Sequence, residues 1–283
     1  MTIMVTGASG RLGGTVARLL LERSTGERIV VGARDRRAVA GLGAEARAAD
    51  YDDPTVLKTA FTGVDILYLV STNGPHSGRL AQHTAAIHAA ADAGVGHIVY
   101  TGILGSAPPV IGALAWDTER VIEASGVPHT ILRHSLYTQN YTASLAETLA
   151  DGELVSATGS GRVATADLGD LARAAVEVLL DERHRGVVYE LTGPRAWRLD
   201  ELAAAVAERA GTPVAHRPVS GAELTAELLA AGVPASGAEV LVGIETAIAA
   251  GAFTEVSPDL EGLLGGPATS MEESVDSALA QLG

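Results

Sequence analysis

The stretch TGASGRLG at residues 6–13 decides how this chain folds. Its three glycines have GxxGxxG spacing and lie between a β-branched run at 2–7 and an amphipathic segment at 12–23. In such a junction the first glycine permits a tight turn, the second lets backbone approach a pyrophosphate, and the third lets helix and strand pack closely. The free N–H groups at the start of the helix favour phosphate, although a glycine turn without a ligand is an alternative. The stretch predicts a dinucleotide site formed by Gly7, Ala8, Ser9, Gly10, Arg11 and Leu12.

Strand-like and helical segments alternate from this stretch onward. Apolar runs at 28–33, 65–71, 97–104 and 129–135 are separated by helical patterns at 54–62, 79–93 and 115–125. Because these runs are continuously apolar, they are typical of a parallel sheet covered by helices on both faces. Short strands at 187–193 and 214–219, set among five helices, predict a smaller second lobe over the carboxyl edge of that sheet.

The predicted fold class is therefore α/β, a Rossmann-type doubly wound parallel sheet with a smaller α/β C-terminal substrate lobe. We expect the nucleotide-binding domain at 1–150 and the substrate or cap lobe at 151–283, with interleaving of the two allowed.

The composition excludes several classes of protein. The net charge is −14 and no basic run is present, which argues against a nucleic-acid partner. The chain contains no cysteine and no HExxH motif, so neither a disulfide nor a metal site is predicted. No apolar run reaches the roughly 18–20 residues of a membrane helix. No leader-like segment precedes the first strand, and the sequence predicts a soluble, cytoplasmic protein. Its amphipathic helices would allow a homodimer.

The end of the second strand selects the dinucleotide. An acidic residue there would bind the adenosine ribose diol, but the strand ends at Arg34, and Asp35, Arg36 and Arg37 follow. A guanidinium binds a 2′-phosphate through paired hydrogen bonds, so Arg34 predicts NADP(H). Asp35 is the residue that does not fit, and a solvated charged run is the alternative. Asp50 is a candidate contact for adenine or, equally, a capping residue.

A series of motifs gives the chain a family resemblance. In chain order they are TGASGRLG, ADYDDP (49–54), DAGVGHIVYTG (92–102), ASGVPHTILRHSLYTQNY (124–141), GSGRVATADLGDLARAA (159–175), YELTG (189–193) and PATSMEESV (267–275). The set resembles the NmrA-like branch of the atypical short-chain dehydrogenases/reductases. Within it, the chain is most similar to bacterial NADPH:quinone oxidoreductases of type 2 and to triphenylmethane reductase.

The resemblance implies two further groups of site residues. The loop after the strand 65–71 is expected to approach the nicotinamide ribose with Val70, Ser71, Thr72 and Asn73. The segment after the strand 129–135 is expected to line the acceptor pocket with Tyr137, Thr138, Gln139, Asn140, Tyr141 and Thr142. Tyr137 could stack on a flat ring or donate a hydrogen bond, and Asn140 could hold a carbonyl. Packing in the core is the alternative for the tyrosines.

The usual proton relay of short-chain dehydrogenases is missing. Its Tyr-x-x-x-Lys pair would lie on the helix that here reads AWDTER (115–120), and the chain's single lysine, Lys58, lies elsewhere. Alcohol–ketone interconversion by that relay is therefore not expected. Hydride transfer to a quinone or similar flat conjugated acceptor needs less acid assistance. We predict an NADPH-dependent oxidoreductase of this kind and assign no catalytic residue.

Alternatives to this activity remain open. One is an NADP-binding redox sensor without turnover, and another is a nucleotide-sugar epimerase-like enzyme, whose chemistry also needs the missing tyrosine. Trp116 is a candidate for the pocket wall or for packing, and His76 for the acceptor site or for a solvated loop.

Overall fold

The computed structural model describes residues 1–23, 26–72, 76–105 and 113–282. The strands are β1 (Thr2–Val5), β2 (Arg28–Ala33), β3 (Glu45–Ala48), β4 (Ile66–Leu69), β5 (His97–Ile103), β6 (His129–His134), β7 (Glu153–Ser156), β8 (Val188–Leu191) and β9 (Ala215–Pro218). The α-helices are α1 (Arg11–Arg23), α2 (Pro54–Ala60), α3 (His76–Asp92), α4 (Ala113–Ser125), α5 (Gln139–Thr142), α6 (Leu145–Asp151), α7 (Leu168–Leu180), α8 (Leu199–Ala210), α9 (Gly221–Ala230), α10 (Ala235–Ala249), α11 (Asp259–Leu264) and α12 (Met271–Ala280).

Seven strands form one parallel sheet in the order β3-β2-β1-β4-β5-β6-β8. The strand order reverses direction between β1 and β4, and a parallel sheet binds its ligands beyond the carboxyl ends of the strands at such a point. The predicted α/β class with a Rossmann-type sheet is confirmed. A separate pair of parallel strands, β7 and β9, belongs to the smaller lobe.

Two apolar layers cover the faces of the sheet. On one face Val16 and Leu20 of α1 pack with Leu171 and Val176 of α7, and all four side chains are fully buried. On the other face α2, α3 and α4 contribute apolar side chains such as Leu57 to a second cluster. These layers fix the carboxyl edge of the sheet, where the loops that carry the site begin.

The smaller lobe has its own apolar cluster around Trp197, which is 1% exposed. The indole N–H of Trp197 donates to the Thr165 hydroxyl over 3.0 Å, which satisfies the one polar atom of this buried ring. Helices α8, α10 and α12 supply most of the surrounding side chains.

Two elements that follow residue 150 in sequence pack with the first lobe. Strand β8 pairs with β6 in the main sheet, and α7 packs against α1. We therefore propose interleaved lobes rather than two consecutive domains. Strand β8 was expected in the smaller lobe, with interleaving allowed, but it pairs with β6 and completes the edge of the parallel sheet. The boundary at residue 150 stays a prediction.

Candidate active site

A tight glycine turn joins β1 to α1. Gly7 has a φ of +60°, a conformation that residues with a Cβ rarely adopt, and the Gly10 N–H donates to the Gly7 carbonyl over 2.9 Å. A Cβ added at Gly13 would lie 2.5 Å from the same carbonyl oxygen. The first turn of α1 contains no acidic residue. This cradle therefore fits the diphosphate of a dinucleotide, because backbone can approach it and the helix start favours negative charge.

A cleft of about 600 Å³ opens from this turn along the carboxyl edge of the sheet. Eleven of the predicted site residues line it: Gly7, Ser9, Gly10, Arg11, Leu12, Arg34, Val70, Ser71, Thr72, Tyr137 and Asn140. Its wall also contains Gly13, Ala33, Ala49, Asp50, Tyr51, Gln82 and Leu168. Of the predicted residues in the glycine turn, Ala8 lies behind the wall, where its N–H donates to the Gly32 carbonyl. Asn73 lies outside the described residues.

The charged run after β2 is divided between two tasks. Arg34 is exposed and lines the cleft at the end of the strand. Asp35 instead caps the short 3₁₀ helix that spans Arg36–Leu42. Its carboxylate accepts from the Arg37 backbone N–H at 2.9 Å and from the Arg37 guanidinium at 2.8 Å. These hydrogen bonds lower the pKa of Asp35. The acidic residue that did not fit an NADP site is thus paired with Arg37, and Arg34 is left facing the cleft.

The cleft wall beside Arg34 contains Asp50, Tyr51 and Gln82. The Asp50 carboxylate accepts from the Asp52 backbone N–H over 3.1 Å, so it both caps this turn and lines the cleft. The Gln82 amide donates to both carboxylate oxygens of Asp52, at 3.0 and 2.9 Å, and joins α3 to the turn. Tyr51 and Gln82 were not predicted as site residues: Tyr51 lies in the ADYDDP motif, which indicated only the family resemblance, and Gln82 lies in no quoted motif.

A fully bonded threonine connects the glycine turn to β4. The Thr6 hydroxyl donates to the Tyr68 carbonyl, accepts from the Tyr51 hydroxyl at 2.6 Å and accepts from the Val70 N–H at 3.0 Å. The Tyr51 hydroxyl also lies 3.1 Å from the Val70 carbonyl oxygen. Because Thr6 and Tyr51 are buried, these bonds fix the glycine turn and the loop after β4, both of which line the cleft.

The loop Ser71–Thr72 is held from below by three side chains. The Thr101 hydroxyl accepts from the Ser71 N–H at 2.9 Å, and Arg79 donates to the Ser71 hydroxyl at 3.0 Å. His83 accepts from the Thr72 N–H through Nε2 at 3.0 Å. That bond requires an unprotonated Nε2, and burial lowers the pKa of His83 to about 4. The sequence does not predict this role of His83, because the role depends on a contact between α3 and the loop.

The segment 137–142 turns through α5 and presents only one side to the cleft. Tyr137 and Asn140 line it. The Thr138 hydroxyl bonds to Thr165 at 2.9 Å, and the Gln139 amide donates to Asp167 at 2.6 Å. The ring of Tyr141 packs edge-on against Trp197 with centroids 5.3 Å apart, and Thr142 is buried. Of the predicted segment, only Tyr137 and Asn140 are among the residues that line the cleft, because residues three apart in a helical turn share one face.

The profile described as the NmrA-like family matches residues 1–282. The chain belongs to the NmrA-like family. Quinone oxidoreductase 2 of Escherichia coli K12 is 35% identical over 278 residues, which cover 96% of this chain and 97% of the relative. The NAD(P)H azoreductase of Xenophilus azovorans is 30% identical over 84% of each chain. The crystal structure of Citrobacter sp. triphenylmethane reductase complexed with NADP(H) superimposes with a TM-score of 0.94 at 36% identity, covering 98% of this chain and 99% of that one. The predicted family membership is confirmed.

In this NmrA-like protein, α4 contributes a structural contact instead of a proton relay. Its Thr118 hydroxyl lies 2.9 Å from Nδ1 of His83, and its Glu119 pairs with Arg133 at 2.7 Å. Trp116 is half-buried with the Arg120 guanidinium 6.0 Å from its ring centroid, and it is not among the residues that line the cleft. The side chain of His76, the other open candidate, lies outside the described residues.

The described ranges contain neither a cluster of metal ligands nor a helix that could span a membrane. Between residues 1 and 282, apart from the gaps stated above, no group of three or more His, Asp or Glu side chains could hold a metal ion. Within the same ranges, no helix combines the length and the apolar character needed to cross a membrane.

Proposed function

We propose that this NmrA-like protein is an NADPH-dependent oxidoreductase that transfers hydride to a quinone or a similar flat conjugated acceptor. One observation carries the proposal: a single cleft runs from the glycine cradle and Arg34 to Tyr137 and Asn140, while α4 carries no tyrosine–lysine pair. The relatives named above, a quinone oxidoreductase, an azoreductase and a triphenylmethane reductase, support the same class of acceptor.

The residues of the cleft divide the work of binding. Gly7, Gly10 and Gly13 would hold the diphosphate, and Arg34 would bind the 2′-phosphate that distinguishes NADP(H) from NAD(H). Ser71 and Thr72, fixed from below, would orient the nicotinamide end. Bound NADPH supplies the hydride, that is, two electrons and one proton.

The acceptor end needs only positioning and a hydrogen bond. When a quinone accepts hydride, negative charge develops on its carbonyl oxygen, and a donor aimed at that oxygen stabilises the charge. Tyr137 supplies a hydroxyl at this end of the cleft and Asn140 an amide. Burial raises the pKa of Tyr137 to about 12, against the opposing effect of the Arg11 guanidinium, so the phenol stays protonated at neutral pH. The second proton of the hydroquinone then comes from water.

The test is oxidation of NADPH by the purified protein in the presence of 1,4-benzoquinone or a naphthoquinone. We expect acceptor-dependent loss of NADPH absorbance, with NADH a much poorer donor. The NADP-binding redox sensor is the alternative, and it is less supported because the relatives at 30% identity or more named above are reductases. If NADPH binds but no quinone, azo dye or triphenylmethane dye oxidises it, the enzyme proposal is wrong. The cytoplasmic location and the homodimer stay predictions from the sequence.

A further inference from the structure

A buried histidine lies directly behind Tyr137. His134 is the last residue of β6 and is 3% exposed. Its Nδ1 lies 3.5 Å from the Tyr137 hydroxyl oxygen, and the centroids of the two rings are 6.1 Å apart. Tyr137 is half-buried and lines the cleft, so this residue connects His134 to the cleft.

The surroundings of the other ring nitrogen of His134 indicate which of the two residues donates the hydrogen bond. Nε2 is buried and has no hydrogen-bond partner among the described residues. Burial lowers the pKa of His134 to about 3, so the ring is neutral at physiological pH and carries one N–H. An N–H on Nε2 would be a buried donor without an acceptor, which proteins avoid more strictly than a buried acceptor without a donor. The same proton on Nδ1 gives the N–H of the ring a partner in the Tyr137 hydroxyl, which the described residues do not offer to Nε2.

A contact of 3.5 Å also fits an N–H donor better than a hydroxyl donor. The 3.5 Å separation is longer than usual for both kinds of bond, but it lies closer to the range of N–H···O bonds, about 2.7–3.2 Å, than to that of O–H donors, about 2.5–3.0 Å. A phenol that donated to His134 would be expected closer to the ring. A phenol that receives a hydrogen bond keeps its own hydrogen free for another partner.

We propose that His134 carries its proton on Nδ1, donates it to the Tyr137 hydroxyl oxygen, and thereby directs the phenol hydrogen into the cleft toward the acceptor. His134 is thus a positioning residue and acts only through Tyr137. This inference rests on the proposed function, because it takes the acceptor to lie against Tyr137. The tyrosine and the histidine of this pair come from β6 and the segment after it, and not from α4, which has no tyrosine–lysine pair.

A second buried polar group without a hydrogen-bond partner among the described residues, the Tyr68 hydroxyl, lies near the Tyr137 phenol. The Tyr68 hydroxyl is buried without a partner in the described part of the chain, and Tyr137 together with burial raises its pKa. The Tyr68 hydroxyl and Nε2 of His134 are therefore two buried polar atoms near Tyr137 that have no hydrogen-bond partner among the described residues. A position tuned only for stability would be expected to satisfy or remove them.

The tautomer of His134 can be read without turnover. NMR of the protein labelled with isotopic nitrogen in histidine shows which ring nitrogen carries the proton, and His134→Asn assigns the signal among the eight histidines. We expect the Nδ1–H form at neutral pH. An Nε2–H form would overturn the inference whatever the activity.

Kinetics with 1,4-benzoquinone give the second test. We expect Tyr137→Phe and His134→Leu each to lower kcat about five- to ten-fold, the effect of one neutral hydrogen bond, with the NADPH KM unchanged. The double variant should be no slower than Tyr137→Phe, and His134→Asn, which restores an N–H, should recover most of the rate. His97→Leu removes another buried histidine of the same sheet and should leave kcat unchanged.

The outcomes separate the two proposals. A wild-type protein that oxidises no NADPH contradicts the proposed function, and the tautomer measurement still decides the orientation of His134. Normal wild-type turnover with additive losses in the double variant contradicts the inference alone, because independent structural damage adds. If His134→Leu does not fold, His134→Asn and the NMR measurement decide.

Discussion

Replacing His97 with glutamine should reduce the acid sensitivity of the fold. His97 begins β5, is 3% exposed, and forms a 3.0 Å hydrogen bond to the Thr130 hydroxyl through Nε2. Its Nδ1 is buried without a partner in the described part of the chain. Burial lowers the pKa of His97 from 6.5 to about 4, and the nearby charges of Arg185 and His129 act in the same direction.

The sign of the effect follows from proton binding. Between pH 6.5 and about 4 the unfolded chain binds a proton at His97 that the folded chain does not, so the free energy of unfolding falls as the pH falls. Integrating over these two pKa values gives a loss of about 2 kcal/mol at pH 5 and about 3 kcal/mol at pH 4. His97→Gln has no such proton to bind, and its amide can still bond to Thr130.

Urea unfolding followed by tryptophan fluorescence at pH 8 and pH 5 measures this loss. We expect the wild type to be more stable than His97→Gln at pH 8, and the difference between them to shrink by about 2 kcal/mol at pH 5. His88→Gln on α3 is the matched control, because that side chain is exposed and meets water in both states. Parallel stability curves for wild type and His97→Gln would refute the reasoning, since they would mean that folding does not discriminate against a proton at this site.

Three further changes test the cleft. Gly13→Ala places a Cβ 2.5 Å from a backbone carbonyl oxygen and should abolish NADPH binding in a fluorescence titration. Gly41→Ala, with open space around the added Cβ, is the control and should bind NADPH normally. Equal NADPH binding by the two variants would show that the glycine turn can move. Arg34→Ser should weaken NADPH binding by about ten- to a hundred-fold and leave NADH binding unchanged, because it removes the charge-assisted hydrogen bonds to the 2′-phosphate. An equal loss of affinity for NADPH and NADH would contradict the proposal that Arg34 binds the 2′-phosphate. Tyr51→Phe leaves the Thr6 network short of one donor and should lower the free energy of unfolding by about 1–2 kcal/mol, so an unchanged urea midpoint would contradict the role of this hydroxyl.

The sequence predicted the parts of the fold that are buried on both faces. The run RIVVGA matches β2 residue for residue, because a continuous apolar run between turn residues allows one interpretation. Strand β3 reads EARA and lies at the edge of the sheet, so its charged residues hid it from a search for apolar runs. Strand β7, which reads ELVS, escaped for the same reason.

The residues of the candidate site also differ in whether the sequence predicted them. Its glycine cradle and Arg34 were predicted from contiguous stretches of sequence, and the loop from Val70 to Thr72 was expected from the family resemblance; all of them line the cleft. Tyr51, Gln82 and His83 come from separate segments that meet only after the sheet and α3 have packed. Nothing in their local sequence distinguishes them from other partly buried polar residues.

The insertion of β8 and α7 into the first lobe has a consequence for how the protein is made. Until synthesis passes residue 191, β6 has an open edge and the apolar face of α1 lacks the helix that covers it. An open edge beside an uncovered apolar surface is a site for intermolecular pairing. A fragment that ends near residue 150 should therefore aggregate instead of binding nucleotide, and the nascent chain should gain resistance to proteolysis late in translation, when its own second half closes the sheet.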